Sequence, residues 1–236
     1  MPWFARVPEK RVNGRKLIID NSMSAAYALN ISSTISGVFP VIAALFNYKH
    51  LNKVLKIASA FFVVSVLFDV VLELTKKMTL GNNLPAIHLF VVISILFFTV
   101  IYYYAFFRPA VKRTIIIVGG VALLIVIFNA IFIEGIWDYP SISNTVLSVL
   151  LIIFSLAYFY QLLNRQEFIH IEKQGLFWIN AGVLFYYSIN IFLFMIFRQL
   201  VLVHQQEDYY LINNVTNIIA NLLFAVGLLC KPQRTT

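Results

Sequence analysis

The chain has 236 residues, 61% of them hydrophobic, 16% aromatic and 12% charged, with a mean hydropathy of +0.84. Soluble domains hold roughly 45–50% apolar and about 25% charged residues, so this balance excludes a water-soluble globule. Nine glycines, seven prolines and one cysteine exclude a fibrous repeat, a low-complexity disordered chain and a disulfide scaffold.

A helix that crosses ~30 Å of hydrocarbon needs about 20 apolar residues. Seven segments meet that requirement, at about 25–47, 54–75, 86–107, 114–134, 142–163, 176–199 and 210–230. The expected fold is all-α, a polytopic membrane protein with seven transmembrane helices in a single membrane domain over 25–232. A basic tail over 1–24 precedes it. That tail lacks the continuous apolar region of a signal peptide. Met23 stands directly before the first span, so it is an alternative start beside the reading of 1–22 as a short basic tail.

The first span is polar in its opening turns, with Asn30, Ser32, Ser33, Thr34 and Ser36, and Pro40 is placed to kink it. The second carries Asp69 and Glu73 on one face, with Lys77 four residues beyond Glu73. Asp69 lies one turn deeper and needs a partner from another helix or a water-filled cavity. Arg198, near the end of the sixth span, is the natural candidate. His88 opens the third span, Gly119-Gly120 can loosen the fourth, and Asn129 and Glu134 close it. Breakers fill the short connections: Gly81-Asn82-Asn83, Arg108-Pro109 and Asp138-Tyr139-Pro140.

The sixth span carries Asn180, Tyr186, Tyr187, Ser188 and Asn190. The seventh carries Asn213, Asn214, Thr216, Asn217 and Asn221, of which Asn213, Asn217 and Asn221 recur every four residues. Such a stripe cannot face lipid without stranding its amides, so it faces the bundle. These polar groups serve either as interhelical hydrogen bonds that fix packing or as the lining of one outward-facing ligand pocket. For the pocket, the candidate residues are Asp69, Arg198, Asn213 and Asn217, with Tyr187 as a wall.

Lys and Arg on alternate loops orient a membrane protein. One face collects Lys49, Lys53, Lys56, Arg108, Lys112, Arg113, Arg165, Lys173, Lys231 and Arg234; the other has Lys76, Lys77 and Arg198, plus five in the N-terminal tail. The first face is expected to be cytoplasmic, with the N-terminus outside and the C-terminus inside a cell inner membrane. Tyr102-Tyr103-Tyr104, Tyr158-Phe159-Tyr160 and Phe177-Trp178 fall near the inner boundary, and Trp137, Tyr139, Tyr209 and Tyr210 near the outer one, where amphipathic rings settle. The net charge of +8 is spread over these loops, where anionic headgroups account for it, so no nucleic-acid partner is expected.

Residues 210–230 contain no lysine for a retinal Schiff base, and no HxxxH pair exists among His50, His88, His170 and His204. An outer metal site from His88, His204, Asp69, Glu73 and Glu134 is the remaining metal option, and solvated loop histidines are its alternative. No cofactor, no metal and no enzymatic activity are expected. The run FWINAGVLFYYSINIFLF (Phe177–Phe194), then NNVTNIIANLLFAVGLLCKP, with FNYKHLNK after the first span, resembles functionally uncharacterised seven-span membrane proteins of Bacteroidota-type bacteria over 25–232. These resemble sensory modules associated with histidine kinases. The resemblance implies a receptor-like protein that binds a small or lipid-like ligand and signals through a histidine kinase or other partner. A transporter or channel subunit and a lipid-modifying enzyme are the alternatives.

Overall fold

Proline and backbone sterics set the helix limits. The computed structural model describes residues 27–77, 83–164, 171–202 and 207–230, with the side chains at 73, 76, 77, 172, 198–202 and 207–209 outside the description. The described residues form helices α1 (27–36), α2 (Val38–Asn47), α3 (Lys53–Lys77), α4 (Leu84–Ala105), α5 (Pro109–Phe132), α6 (Ser141–Leu163), α7 (Gly175–Leu202) and α8 (Glu207–Leu229). Helices α1 and α2 make one span, Tyr27–His50, and seven spans are long and apolar enough to cross a membrane. The protein is an all-α, multi-pass membrane protein.

Pro40 does more than bend the first span. It has no N–H to offer the Ser36 carbonyl, and its ring crowds that position. The helix breaks at Gly37 and restarts at Val38. Pro85 and Pro109 instead lie in the first turns of α4 and α5, where a missing N–H is harmless. The expected loosening at Gly119-Gly120 does not occur, because α5 runs unbroken from Pro109 to Phe132. Thr99 of α4 fills the space a Cβ at Gly119 would need, so this glycine permits close packing of two helices.

The bundle closes as a ring in which the first span, α3, α4, α6, α7 and α8 each touch the next, and α8 returns to α2. Helix α5 leans on α4 and α6 from outside. Its sequence explains this placement. The buried residues Ile115, Gly119, Ala122, Val126 and Asn129 follow a four-three spacing, a single narrow stripe. Around it, Ile116, Val121, Leu124, Phe128 and Phe132 are exposed, as lipid-facing residues must be in a protein without an aqueous surround.

Small residues bring α7 and α8 together. The Cβ position of Gly175 falls on the Gly227 carbonyl oxygen and that of Gly227 on the Gly175 carbonyl, while Gly182 faces Phe224 and Ala220. In lipid the association of helices rests on such van der Waals fit and on interhelical hydrogen bonds. At the same end Asn47 donates to the Leu228 carbonyl at 2.8 Å and the Cys230 carbonyl at 3.2 Å, satisfying acceptors that the end of α8 leaves open.

The connections α2–α3, α4–α5 and α6–α7 share one end of the bundle, called here the basic end. Lys53 lies 3.8 Å from the centre of the Tyr104 ring, Lys56 5.0 Å from Tyr48 and Lys112 5.3 Å from Tyr103. The aromatic belt expected there is thinner than the sequence suggests. Tyr103, Tyr104 and Tyr160 are reachable from outside, whereas Tyr102 and Tyr158 are buried core residues.

Candidate functional site

Buried polar side chains fall into separate groups, and one of them lines a cavity between the helices. The first group lies between α5 and α6 at the end opposite the basic one. Glu134 accepts from Asn129 Nδ2 at 2.6 Å and from the Ile142 backbone N–H at 2.8 Å, and Asn129 also donates to Ser143 Oγ at 2.9 Å. The carboxylate satisfies an open N–H at the start of α6, where a helix favours negative charge. Gly135, with φ of 74°, turns the chain just after it.

His88 is buried, with Nε2 3.1 Å from the Asp138 carbonyl oxygen, so it pins the α5–α6 connection to α4 and is no solvated loop histidine. His204 lies outside the described residues, as does the Glu73 side chain, and among the described residues no group of three or more His, Cys, Asp or Glu could hold a metal. Glu134 and His88 each have their own structural contact.

A second group lies towards the basic end. Tyr102 donates to Asn180 Oδ1 at 2.6 Å and its hydroxyl pairs with Ser155 Oγ at 2.7 Å, while Asn180 Nδ2 donates to the Leu176 carbonyl at 2.8 Å. Tyr102 is 1% exposed and Ser155 0%. Phe154 packs edge-on against the Tyr102 ring at 5.1 Å. These contacts tie α4, α6 and α7 together and fill the bundle at that level.

The cavity lies between this layer and the opposite end of the bundle. Its volume is about 110 Å³. Asp69 and Ser65 of α3, Tyr186 and Tyr187 of α7, and Asn213, Asn217 and Asn221 of α8 give it its polar edge. Phe61, Phe62, Phe90, Phe98, Phe194 and Phe224 give it an aromatic wall, and Tyr139 and Asn144 border it from the α6 side. Asn213 and Asn221 are eight residues apart, so the polar edge runs about 12 Å along α8 at ~1.5 Å per residue.

Gly37 explains how the carboxylate reaches the first span. The point where a Cβ would sit on Gly37 is 3.9 Å from Asp69 Oδ2 and 4.0 Å from Asn221 Nδ2. The break before Pro40 therefore also makes the opening into which two polar side chains project. Asn217 Nδ2 donates to Ser33 Oγ at 2.9 Å, and Asn221 Nδ2 donates to Ser36 Oγ at 2.9 Å. Ser33 and Ser36 are essentially inaccessible. Tyr186 donates to Asn213 Oδ1 at 3.0 Å, and Asn190 donates to Thr216 Oγ1 at 2.8 Å.

Of the residues expected at a pocket, Asp69, Tyr187, Asn213 and Asn217 line this one cavity. The Arg198 side chain lies outside the described residues. The wider convergence expected of the polar residues does not occur. Asn180 joins the Tyr102 layer, Asn129 and Glu134 cap α6, Asn190 bonds α8 without reaching the cavity, and Ser188 is exposed. Packing and pocket are thus not exclusive, since Asn217 and Asn221 do both.

Sequence reasoning missed Gly37, Ser65, Tyr139 and Asn144. The polar opening turns of the first span were a signal for its approach to α8. Nothing in the spacing marked Gly37 as facing Asp69, because that contact joins two helices whose rotation is set only by packing.

No protein-family model matches the chain, and neither a curated protein nor a solved structure is significantly similar to it. What the cavity can do follows from its own chemistry. Among the described residues, a single carboxylate, four amides and three tyrosine hydroxyls surround a largely aromatic space, which suits reversible binding of a small polar guest.

Proposed function

We propose that the protein is a receptor-like sensory module of a bacterial inner membrane, binding a small ligand in this cavity and signalling through a partner at its basic end. The observation that carries the reading is the division of the bundle into two halves. A cavity with polar groups occupies the half away from the basic end, and the Tyr102–Ser155–Asn180 layer fills the half towards it. Lys and Arg mark the cytoplasmic side of membrane proteins, so the basic end faces the cytoplasm, the N-terminus lies outside and the C-terminus inside. The cavity then lies in the outer half.

Helix α7 is the natural transmitter. Tyr187 lines the cavity and Asn180, seven residues earlier, holds Tyr102; two rigid turns join them. A ligand that moves α7 acts on both, and it shifts the equilibrium only by its differential affinity for the two arrangements. A histidine kinase, the partner implied by the resemblance of the Phe177–Phe194 run and the sequence of α8, is the first to test. A volume of about 110 Å³ favours a small molecule over a lipid, since pockets for drug-sized ligands run to about 300–1,000 Å³.

Purified protein in proteoliposomes, labelled at Asn52→Cys and Asn164→Cys on a Cys230→Ser background, tests the reading against a panel of small ammonium, carboxylate and neutral solutes. Sensing gives a change in label separation with one class of solute and no flux of it across the membrane. Flux that disappears in Asp69→Asn overturns sensing in favour of transport.

A further inference from the structure

We propose that the cavity binds a small uncharged carboxamide or urea, held by hydrogen-bonding groups of Ser65, Asn144 and Tyr187 that the fold leaves uncommitted. This names a ligand class for the receptor reading and rests on it.

A polar side chain inside a membrane bundle is costly unless it finds a partner, and many in this protein find one within the bundle. Ser94, Thr145 and Ser148 turn their hydroxyls back onto the carbonyl four residues earlier, at 2.7–2.8 Å. Asn180 and Asn190 do the same with an amide N–H at 2.8 Å. Asn144 departs from this pattern. It is 9% exposed, and only its backbone is engaged, the N–H by the Pro140 carbonyl and the carbonyl by Ser148 Oγ. Its side-chain amide has no hydrogen bond among the described residues, and neither do the hydroxyls of Ser65 and Tyr187; all three residues line the cavity.

The unused capacity is therefore specific in kind. An Asn amide presents an acceptor and a donor side by side, and each hydroxyl can give or accept one bond. A guest carrying the same paired edge, C=O beside N–H, closes two hydrogen bonds with Asn144. The hydroxyls of α3 and α7 suit the second lone pair of its carbonyl. Asn217 and Asn221 spend an N–H on Ser33 and Ser36, which leaves them carbonyl oxygens for a further N–H of the guest. Asp69 has an interaction of its own, so recognition rests on the uncharged groups. A charged guest would give up its hydration to meet groups that carry no formal charge.

The wall and the volume set the rest. Nine of the nineteen lining residues are Phe or Tyr, and in such low-dielectric surroundings a matched hydrogen bond is stronger than in water while an unmatched one is costly. The volume of about 110 Å³ is below the ~150 Å³ cavity that holds a benzene molecule, which sets the guest at the size of urea or acetamide. Tyr187 places one of the recognising groups on α7, the helix that also carries Asn180.

Thermal unfolding of the full chain in nanodiscs tests this with acetamide, urea, acetone, acetate and methylammonium. Acetone keeps the shape of acetamide without its N–H groups, acetate replaces the amide with a charge, and methylammonium only donates. Guests this small bind with Kd of about tens of micromolar at best, so each is titrated from about 10 μM to about 50 mM. Acetamide or urea is expected to raise Tm in a saturable way, unlike the linear solvent effect of urea, with the other three at least about tenfold weaker. Asn144→Leu removes the paired edge and weakens the apparent Kd by about tenfold or more, without lowering Tm in the absence of guest.

Tyr187→Phe, which removes a single uncommitted hydroxyl, weakens Kd by about two- to tenfold and keeps the measurement decisive if Asn144→Leu does not fold. A lower Tm for guest-free Asn144→Leu with unchanged amide affinity makes Asn144 a packing residue and overturns the proposal. Equal effects of acetone and acetamide, or a shift with acetate or methylammonium alone, overturn the amide class while the ligand-cavity reading stands. Amide binding without a change in label separation upholds the ligand class and overturns sensing. No shift with any probe overturns both.

Discussion

Asn217 and Asn221 each make a direct bond to a buried serine of the first span, and each also borders the cavity. Interhelical hydrogen bonds in membranes are worth about 0.6 kcal/mol on average, with a maximum near 1.7. Asn221→Ala is therefore expected to lower unfolding free energy by about 0.6–1.7 kcal/mol, read by denaturant titration in mixed micelles. Tyr102→Phe removes two contacts at once and leaves Ser155 Oγ and Asn180 Oδ1 without their bonds to the phenol; an unmet buried polar group costs about 1–3 kcal/mol. The same titration should place Tyr102→Phe below Asn221→Ala in stability.

Among helices, the ends and the closest crossings dominate. Glu134 holds the start of α6 through the Ile142 N–H and the end of α5 through Asn129. Removing an N-terminal cap costs about 0.5–2 kcal/mol, so Glu134→Ala should destabilise within that range, while Glu134→Gln, which retains an acceptor oxygen, should lose less. Hydrogen exchange at the first turn of α6 separates the two. The α7–α8 crossing has less tolerance, because a Cβ at Gly175 or Gly227 meets the partner's carbonyl. Overpacking of this kind costs about 1–3 kcal/mol. Gly227→Val should lower Tm far more than Gly120→Val, since a Cβ at Gly120 meets nothing within 4 Å.

For the molecule as a whole, the distribution of charge sets the direction of insertion. Ten basic residues gather on one set of loops and three on the other, the N-terminal tail aside. On a Cys230→Ser background, Trp137→Cys should react with a membrane-impermeant maleimide in spheroplasts, and Asn52→Cys only after permeabilisation. The reverse pattern would turn the protein over and place the cavity on the cytoplasmic side. Trp137 is 63% exposed, so its labelling is limited by topology and not by burial.

Seven spans, their limits within a few residues and the all-helical class were legible in the sequence, because hydrocarbon thickness and proline chemistry act on each segment alone. Asp69 and the Asn213–Asn217–Asn221 stripe were recognisable as inward-facing, since a charge or an amide in lipid has no partner. Their partners were not recognisable. Whether Asn180 would meet Asp69 or Tyr102, and whether Glu134 would open into a cavity or cap a neighbouring helix, depends on how each helix is rotated and how deep it lies against the next. Helix rotation and depth are decided by steric fit between surfaces far apart in the chain, at contacts such as Gly175 on Gly227 and Gly119 on Thr99. Composition and periodicity determined which residues must turn inward; only the packed bundle decided which of them meet, and that Gly37 leaves room for Asp69 at the edge of a cavity.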